Sequence, residues 1–194
     1  NSMNTEYHLN FHGDDVSPSS PEDALFHVLP VPFENSVSYG TGTANGPAAI
    51  LESSCQLELF TGMSVPADNG IYTAPAVDCS GSSEEVLKRI TKSVTPCLDL
   101  KKIPILLGGE HTITCGMIPA LKQHFHEFGV IQFDAHTDLR DSYEGSKYSH
   151  ACVMRRIHEQ GIPIYQLGTR SYSKEEHNYR KEQNIFYKDA EQIW

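Results

Sequence analysis

The chain has 194 residues, a formal net charge of −10 at pH 7 and 39% hydrophobic residues. That length fits one domain with a sizeable core. The negative charge argues against nucleic acid or an anionic membrane as a partner, because neither phosphate-dense surface would attract it. No apolar run in the sequence approaches the length needed to span a bilayer.

The serine- and proline-rich composition of residues 1–23 predicts an N-terminal tail and loop, with His8 and His12 on a mobile tail. Residues 24–194 form one predicted domain in which strands and helices alternate. Strands are predicted at 24–31, 103–107, 130–134, 162–167 and 185–187, and helices at 47–59, 82–94, 114–128, 150–160 and 174–183. This alternation predicts an α/β fold, a three-layer α/β/α sandwich with a mainly parallel sheet covered on both faces.

The five cysteines form no Cys-x-x-Cys pair, and their odd number and even scatter predict reduced thiols. The first residues lack the basic and apolar regions of a signal peptide. Together these features lead us to expect a cytoplasmic protein.

The most informative segment is 130–139, where an apolar strand leads into Asp134, His136 and Asp138. Alternate residues of an extended chain lie on one face, about 6 to 7 Å apart, so the three side chains could share a cation. Polar residues also end ordinary buried strands, but carboxylates this close would repel one another without a cation between them. Oxygen ligands with one imidazole suit Mn²⁺ better than structural zinc.

A second segment, 103–112, repeats this design with an apolar strand, a Gly-Gly turn and then His111. Alone, His111 would be an ordinary loop histidine. Since open parallel sheets place their sites at the carboxyl ends of strands, we expect His111, Asp134, His136 and Asp138 to lie together at the ends of adjacent strands.

The segments Gly-Gly-Glu-His-Thr (108–112) and Phe-Asp-Ala-His-Thr-Asp-Leu (133–139) resemble the first two metal-binding signatures of the ureohydrolases, the arginase and agmatinase family. The stretch 38–50 is similar to the agmatinase N-terminal pattern. The loop 140–151 resembles the agmatinase substrate loop more than the arginase loop that grips an α-carboxylate. The resemblance runs from about residue 24 to the end of the sequence.

The family's third metal signature, Ser-x-Asp-x-Asp followed by Asp-Pro, does not occur in these 194 residues, nor does the downstream glutamate that helps hold the guanidinium. The resemblance therefore implies an arginase-like fold whose C-terminal part is absent from this chain, which corresponds to the N-terminal two-thirds of an agmatinase. From this we expect the isolated chain to be catalytically silent.

The resemblance implies a hydroxide activated by two Mn²⁺ ions that attacks the guanidinium carbon of agmatine, giving putrescine and urea. Asp134 would bridge the ions, with His111 and Asp138 on one and His136 on the other. His150 matches the family's proton-shuttle position, while Tyr143 and Glu144 are candidates for substrate binding. Family members commonly form trimers or hexamers, so we expect a homo-oligomer that binds a small cationic guanidino substrate.

Two alternatives remain open at this stage. The chain could be a truncated, non-catalytic metal-binding fragment, or a related guanidino or formimino hydrolase such as a guanidinobutyrase or arginase. Deacetylases of the same fold use adjacent histidines. The sequence contains no His-His pair, which argues against that class.

Overall fold

Six parallel strands and five α-helices make up the described part of the chain. The computed structural model describes residues 9–36 and 40–193. The strands are β1 (Phe26–Val31), β2 (Ile71–Thr73), β3 (Ile103–Gly108), β4 (Val130–Phe133), β5 (Ile164–Leu167) and β6 (Phe186–Lys188). The helices are α1 (Gly46–Ser54), α2 (Ser83–Asp99), α3 (Thr114–His124), α4 (Val153–His158) and α5 (Lys174–Glu182). The predicted α/β fold with parallel sheets is confirmed.

The described strands form two separate three-stranded sheets, with the orders β2-β1-β3 and β4-β5-β6. Every pairing within them is parallel. Since β3 and β4 are edges of different sheets, the expectation that the two ligand-bearing strands are adjacent is wrong for this part of the chain. Their carboxyl ends nevertheless converge, because side chains that follow β3 and β4 are in contact.

Helix boundaries follow local hydrogen bonding. Both α2 and α5 begin at a capping box, in which Ser82 and Ser173 exchange hydrogen bonds with the glutamate three residues later. The helix predicted at 47–59 ends at Ser54, where i to i+3 hydrogen bonds tighten the chain into turns. The helix predicted at 150–160 starts late for the same reason, with a 3₁₀ turn at His150–Cys152 preceding α4.

Two hydrophobic clusters hold the fold together, and α3 lies between them. The first contains Val31 of β1 and Ile90 of α2, both fully buried. The second contains Ile157 of α4 and Ile164 of β5. Leu121 of α3 packs against both clusters, so this helix joins the two sheets into one body.

Strand β1, the central strand of the first sheet, differs from one face of the second sheet in how it is covered. Five of the six residues of β1 are buried, as expected for a strand covered on both sides. On one face of the second sheet, in contrast, Ile131 is 63% exposed, Phe133 81% and Phe186 71%. Ile131, Tyr165 and Phe186 lie in one row by the strand register. We call the exposed face formed by Ile131, Phe133, Tyr165 and Phe186 the open face.

The N-terminal segment departs from the predicted mobile tail. The His12 backbone N–H donates to Ser54 Oγ at 2.9 Å, and the Phe11 N–H donates to Thr73 Oγ1 at 3.0 Å. These bonds fix residues 11 and 12 against α1 and β2, while His8 lies outside the described residues. All five cysteines are free, in accord with the prediction of reduced thiols. No described helix combines the length and apolar character needed to cross a membrane.

Candidate metal centre

Three of the four predicted ligands meet at one point. His111 Nδ1 lies 2.6 Å from Asp138 Oδ2 and 3.5 Å from Asp134 Oδ2. One ligand atom from each of the three residues falls within 4.8 Å of the others. Two carboxylates and an imidazole form a donor set that suits a divalent ion such as Mn²⁺, so the residues present fit the metal that the sequence implies.

His111 reaches this point through a tight turn after β3. Gly109 has φ +44°, and a Cβ there would lie 2.5 Å from the Val31 carbonyl oxygen, so only glycine fits. The chain then forms a 3₁₀ turn at His111–Ile113. The Gly-Gly pair seen in the sequence therefore has a steric cause.

Asp134 and Asp138 come together by a loop rather than by strand alternation. Strand β4 ends at Phe133, and Asp138 has φ 52°, in the left-handed region. The two carboxylates lie close together as expected, but the cause is the loop, which turns Asp138 back toward His111, and not the alternation of an extended chain.

His136 lies beside the group but outside it. Its side chain is 64% exposed, and its Nδ1 lies 3.4 Å from Asp134 Oδ1. Its backbone forms an isolated parallel bridge with Ser171, which follows β5. Asp134 therefore faces His111 on one side and His136 on the other, in a position to be shared by two sites.

The three clustered groups perturb one another. Burial alone would lower the pKa of the His111 imidazole, but its hydrogen bond to Asp138 and the charges of Asp138 and Asp134 raise that pKa above its ordinary value. Burial raises the pKa of the Asp138 carboxyl, and the opposing effect of His111 does not cancel this rise. A divalent cation would favour the deprotonated forms of both groups.

Behind Asp134, two buried glutamines form a chain of hydrogen bonds that sequence reasoning missed. Gln166 Nε2 donates to Gln132 Oε1 at 2.7 Å and to the Thr137 carbonyl at 2.6 Å. Gln132 Nε2 in turn donates to Asp134 Oδ2 at 3.2 Å. The two residues are register partners on β4 and β5. Their signal in the sequence was an amide within each of two otherwise apolar strands.

A buried glutamate holds the other end of the ligand loop. Glu176 Oε1 accepts hydrogen bonds from Thr137 Oγ1 at 2.8 Å and from the Leu139 N–H at 3.1 Å, on both sides of Asp138. Its Oε2 accepts from the Ser173 N–H at 2.8 Å. The Ser-x-x-Glu capping pattern at 173–176 was the sequence signal for this residue, but it did not reveal the contact with the ligand loop.

A cavity of about 750 Å³ opens over the three ligands. His150 and Tyr143 line it, with ring centroids 5.5 Å apart in an edge-on arrangement. Glu144 is exposed at a turn with φ 49° and is not among the described residues that line the cavity, which weakens its candidacy for substrate binding. The cavity is also lined by Arg140 and Ala151, which belong to the loop that resembles a substrate loop. Further lining residues had no role assigned from the sequence, and these are Thr43, Gly109, Glu110, Ser171, Tyr172, Ser173 and Glu176.

The fold and the site together define a class of protein, a parallel α/β protein with oxygen and imidazole groups that could hold a divalent ion beside a cavity at the carboxyl ends of its strands. The family model of the arginase family matches residues 24–194. The chain belongs to the arginase family.

Several proteins similar to this chain carry ureohydrolase names. The chain is 39% identical over 176 residues to the N(1)-aminopropylagmatine ureohydrolase of Synechocystis sp., covering 86% of this chain and 58% of that protein. It is 34% identical over 174 residues to the agmatinase of Pyrococcus horikoshii, covering 84% and 58%. The crystal structure of the agmatine ureohydrolase of Thermoplasma volcanium superposes with a TM-score of 0.85 at 30% identity, covering 96% of this chain and 64% of that chain. The chain thus spans about three fifths of the length of these relatives.

Proposed function

We propose that this chain belongs to a metal-dependent ureohydrolase that hydrolyses agmatine to putrescine and urea. The observation that carries the proposal is the meeting of His111, Asp134 and Asp138 within 4.8 Å under a cavity that His150 also lines. Similarity to proteins named agmatinase and agmatine ureohydrolase supports the substrate class.

Each residue of the site would have its own role in the reaction. Two divalent ions, when bound, supply a water of lowered pKa as the nucleophile, which a resonance-stabilised guanidinium requires. His111 and Asp138 would hold one ion, His136 the other, and Asp134 both. His150 would give a proton to the amine as its C–N bond breaks, since imidazole titrates near neutral pH. Tyr143, packed edge-on against His150, would shape the substrate side of the cavity.

N(1)-aminopropylagmatine is a second candidate substrate. Two relatives with that name, from Synechocystis sp. and Thermococcus kodakarensis, are 39% and 38% identical to the chain, against 34% for the Pyrococcus agmatinase. Both substrates carry the same guanidinium, so the reaction at the metal centre would be unchanged. Only the groups that contact the aminopropyl extension would differ.

The remaining expectations are part of the same proposal. We propose Mn²⁺ as the metal, because the donor set is dominated by oxygen, together with a cytoplasmic location and a homo-oligomer, trimeric or hexameric.

The deciding experiment measures urea release from agmatine, N(1)-aminopropylagmatine and arginine, with Mn²⁺ and with Zn²⁺. It is carried out on the 194-residue chain and on a longer form that contains it. We expect the longer form to prefer agmatine or its aminopropyl derivative over arginine, and Mn²⁺ over Zn²⁺. Equal turnover of arginine, or full activity after exhaustive chelation, would contradict the proposal.

The short chain tests the alternative of a non-catalytic metal-binding fragment. We expect it to bind metal without releasing urea, because fewer ligands are available for the second ion. Urea release within tenfold of the longer form would show that other residues build the site.

A further inference from the structure

The imidazole of His150 is held by a serine that lies 114 residues away in sequence. Ser36 Oγ is 3.2 Å from His150 Nδ1, and the His150 backbone N–H donates to the same oxygen at 3.1 Å. Ser149 Oγ lies 3.3 Å from Nδ1 and also accepts from the Ala151 N–H. The Nδ1 side of the ring is therefore surrounded by two hydroxyl groups.

The direction of the Ser36 hydrogen bond is set by Glu110, which is only 4% exposed. Glu110 Oε2 accepts from the backbone N–H groups of Asn35 and Ser36, at 3.0 and 2.8 Å. Its Oε1 accepts from Thr112 Oγ1 and from Ser36 Oγ, both at 2.9 Å. As a carboxylate, Glu110 can only accept, so all four contacts take a hydrogen from the partner.

A serine hydroxyl has a single hydrogen. Since Ser36 donates it to Glu110, its oxygen can only accept from His150, so a hydrogen bond between this oxygen and Nδ1 requires the proton to be on Nδ1. In the neutral ring the basic nitrogen is then Nε2. The backbone N–H of His150 also donates to Ser36 Oγ, so this oxygen acts as an acceptor toward both groups of His150.

We propose that Ser36 is a positioning residue that fixes His150 in the Nδ1–H tautomer, with Glu110 orienting the Ser36 hydroxyl. The proposal rests on the proposed function only for the task of His150. In that task Nε2–H of the protonated ring donates to the leaving nitrogen, which keeps the electron pair of the broken C–N bond, and the ring returns to its Nδ1–H form. Glu110 directly precedes His111, so one buried carboxylate ties the metal ligand to the proton donor.

The test is nuclear magnetic resonance of the imidazole nitrogens in protein labelled at histidine, with His150 assigned by His150→Gln. We expect a protonated Nδ1 and an unprotonated Nε2 in the neutral ring. Ser36→Ala should shift the population toward Nε2–H, and Ser36→Thr, which keeps the hydroxyl, should restore the original form. Thr112→Val is the matched control, since it removes a hydrogen bond from the same Glu110 oxygen without touching His150.

The possible results distinguish failure of the tautomer proposal from failure of the proposed function. An Nε2–H ring in the unmodified protein overturns the proposal even if the alanine variant fails to fold. An unchanged tautomer in Ser36→Ala also overturns it. In an active protein Ser36→Ala should lower kcat about 100-fold with KM little changed, the low end of what general acid catalysis contributes. Absence of urea release by the longer form that contains this chain would instead count against the proposed function and leave the tautomer result standing.

Discussion

The two strand ends that build the metal centre are held in different ways. After β3, His111 follows a turn that only glycine permits, and the neighbouring Glu110 is held by four donors from three residues. After β4, Asp134 and Asp138 belong to a loop held by backbone hydrogen bonds from Arg170 and Ser171, which follow β5, and by the side chains of Gln132 and Glu176. The β3 end is thus shaped by its own glycine turn and anchored through Glu110, whereas the β4 end depends on groups supplied by the segment after β5 and by α5.

The largest expected effect is on Mn²⁺ affinity, and it should differ between variants of His111 and His136. His111→Asn should lower the affinity for the first Mn²⁺ at least ~100-fold, because the loss of a ligand exceeds the 10- to 100-fold typical of residues behind the ligands. His136→Asn should retain one bound ion, since His136 is 64% exposed and outside the group of three. Titration calorimetry measures both, with His126→Asn on an exposed loop as control. Equal losses for His111 and His136 would contradict the distinction.

The folded state should lose stability when Glu176, the buried glutamate that holds the loop after β4, is removed. Glu176→Ala leaves the Leu139 N–H and Thr137 hydroxyl without their acceptor and removes the side-chain half of the α5 capping box. We expect a loss of about 3 kcal/mol in the free energy of unfolding. Glu175→Ala, at an exposed position one residue earlier, is the control and should not change it. Denaturant unfolding followed by circular dichroism makes the measurement, and similar curves for both variants would contradict our account.

A smaller effect is expected from the glutamine chain. Gln132→Leu keeps the volume but removes the donor to Asp134 Oδ2. We expect a roughly tenfold loss of Mn²⁺ affinity, typical of a residue that orients a ligand. Gln123→Leu on the exposed side of α3 should leave the affinity unchanged. If Gln132→Leu binds Mn²⁺ as tightly as the unmodified protein, the packing of the loop alone orients Asp134.

The smallest effect concerns pH in the metal-free protein. Asp138 and Asp134 raise the pKa of His111 in the folded protein despite its burial. The protonated imidazole therefore stabilises the folded state at pH values below the pKa that His111 has in the unfolded chain. That contribution is lost as the pH rises through the folded pKa. The melting temperature of metal-free protein should therefore fall more steeply between pH 6 and 9 than that of His111→Asn. If the melting temperature falls equally with pH in both proteins, the ion pair between His111 and Asp138 adds no stability.

The sequence predicted the parts of the site that rest on local pattern. Ligand residue types directly after apolar strands located His111, Asp134 and Asp138, and a Gly-Gly pair marked the turn. The pattern could not show that β3 and β4 belong to different sheets, because strand pairing depends on the whole fold. Nor could it connect Ser36 to His150, since hydrogen bonds between distant segments leave no periodic signal. Strand β2, three residues long, was not predicted.

The open face of the second sheet determines how this chain behaves in solution. Ile131, Phe133 and Phe186 present contiguous apolar surface to water, and such surfaces adhere to one another when nothing covers them. Sulfate and phosphate salts strengthen that attraction, since they are excluded from protein surfaces. Purified alone, the chain should therefore salt out early and remain dispersed best when dilute and at low concentrations of such salts.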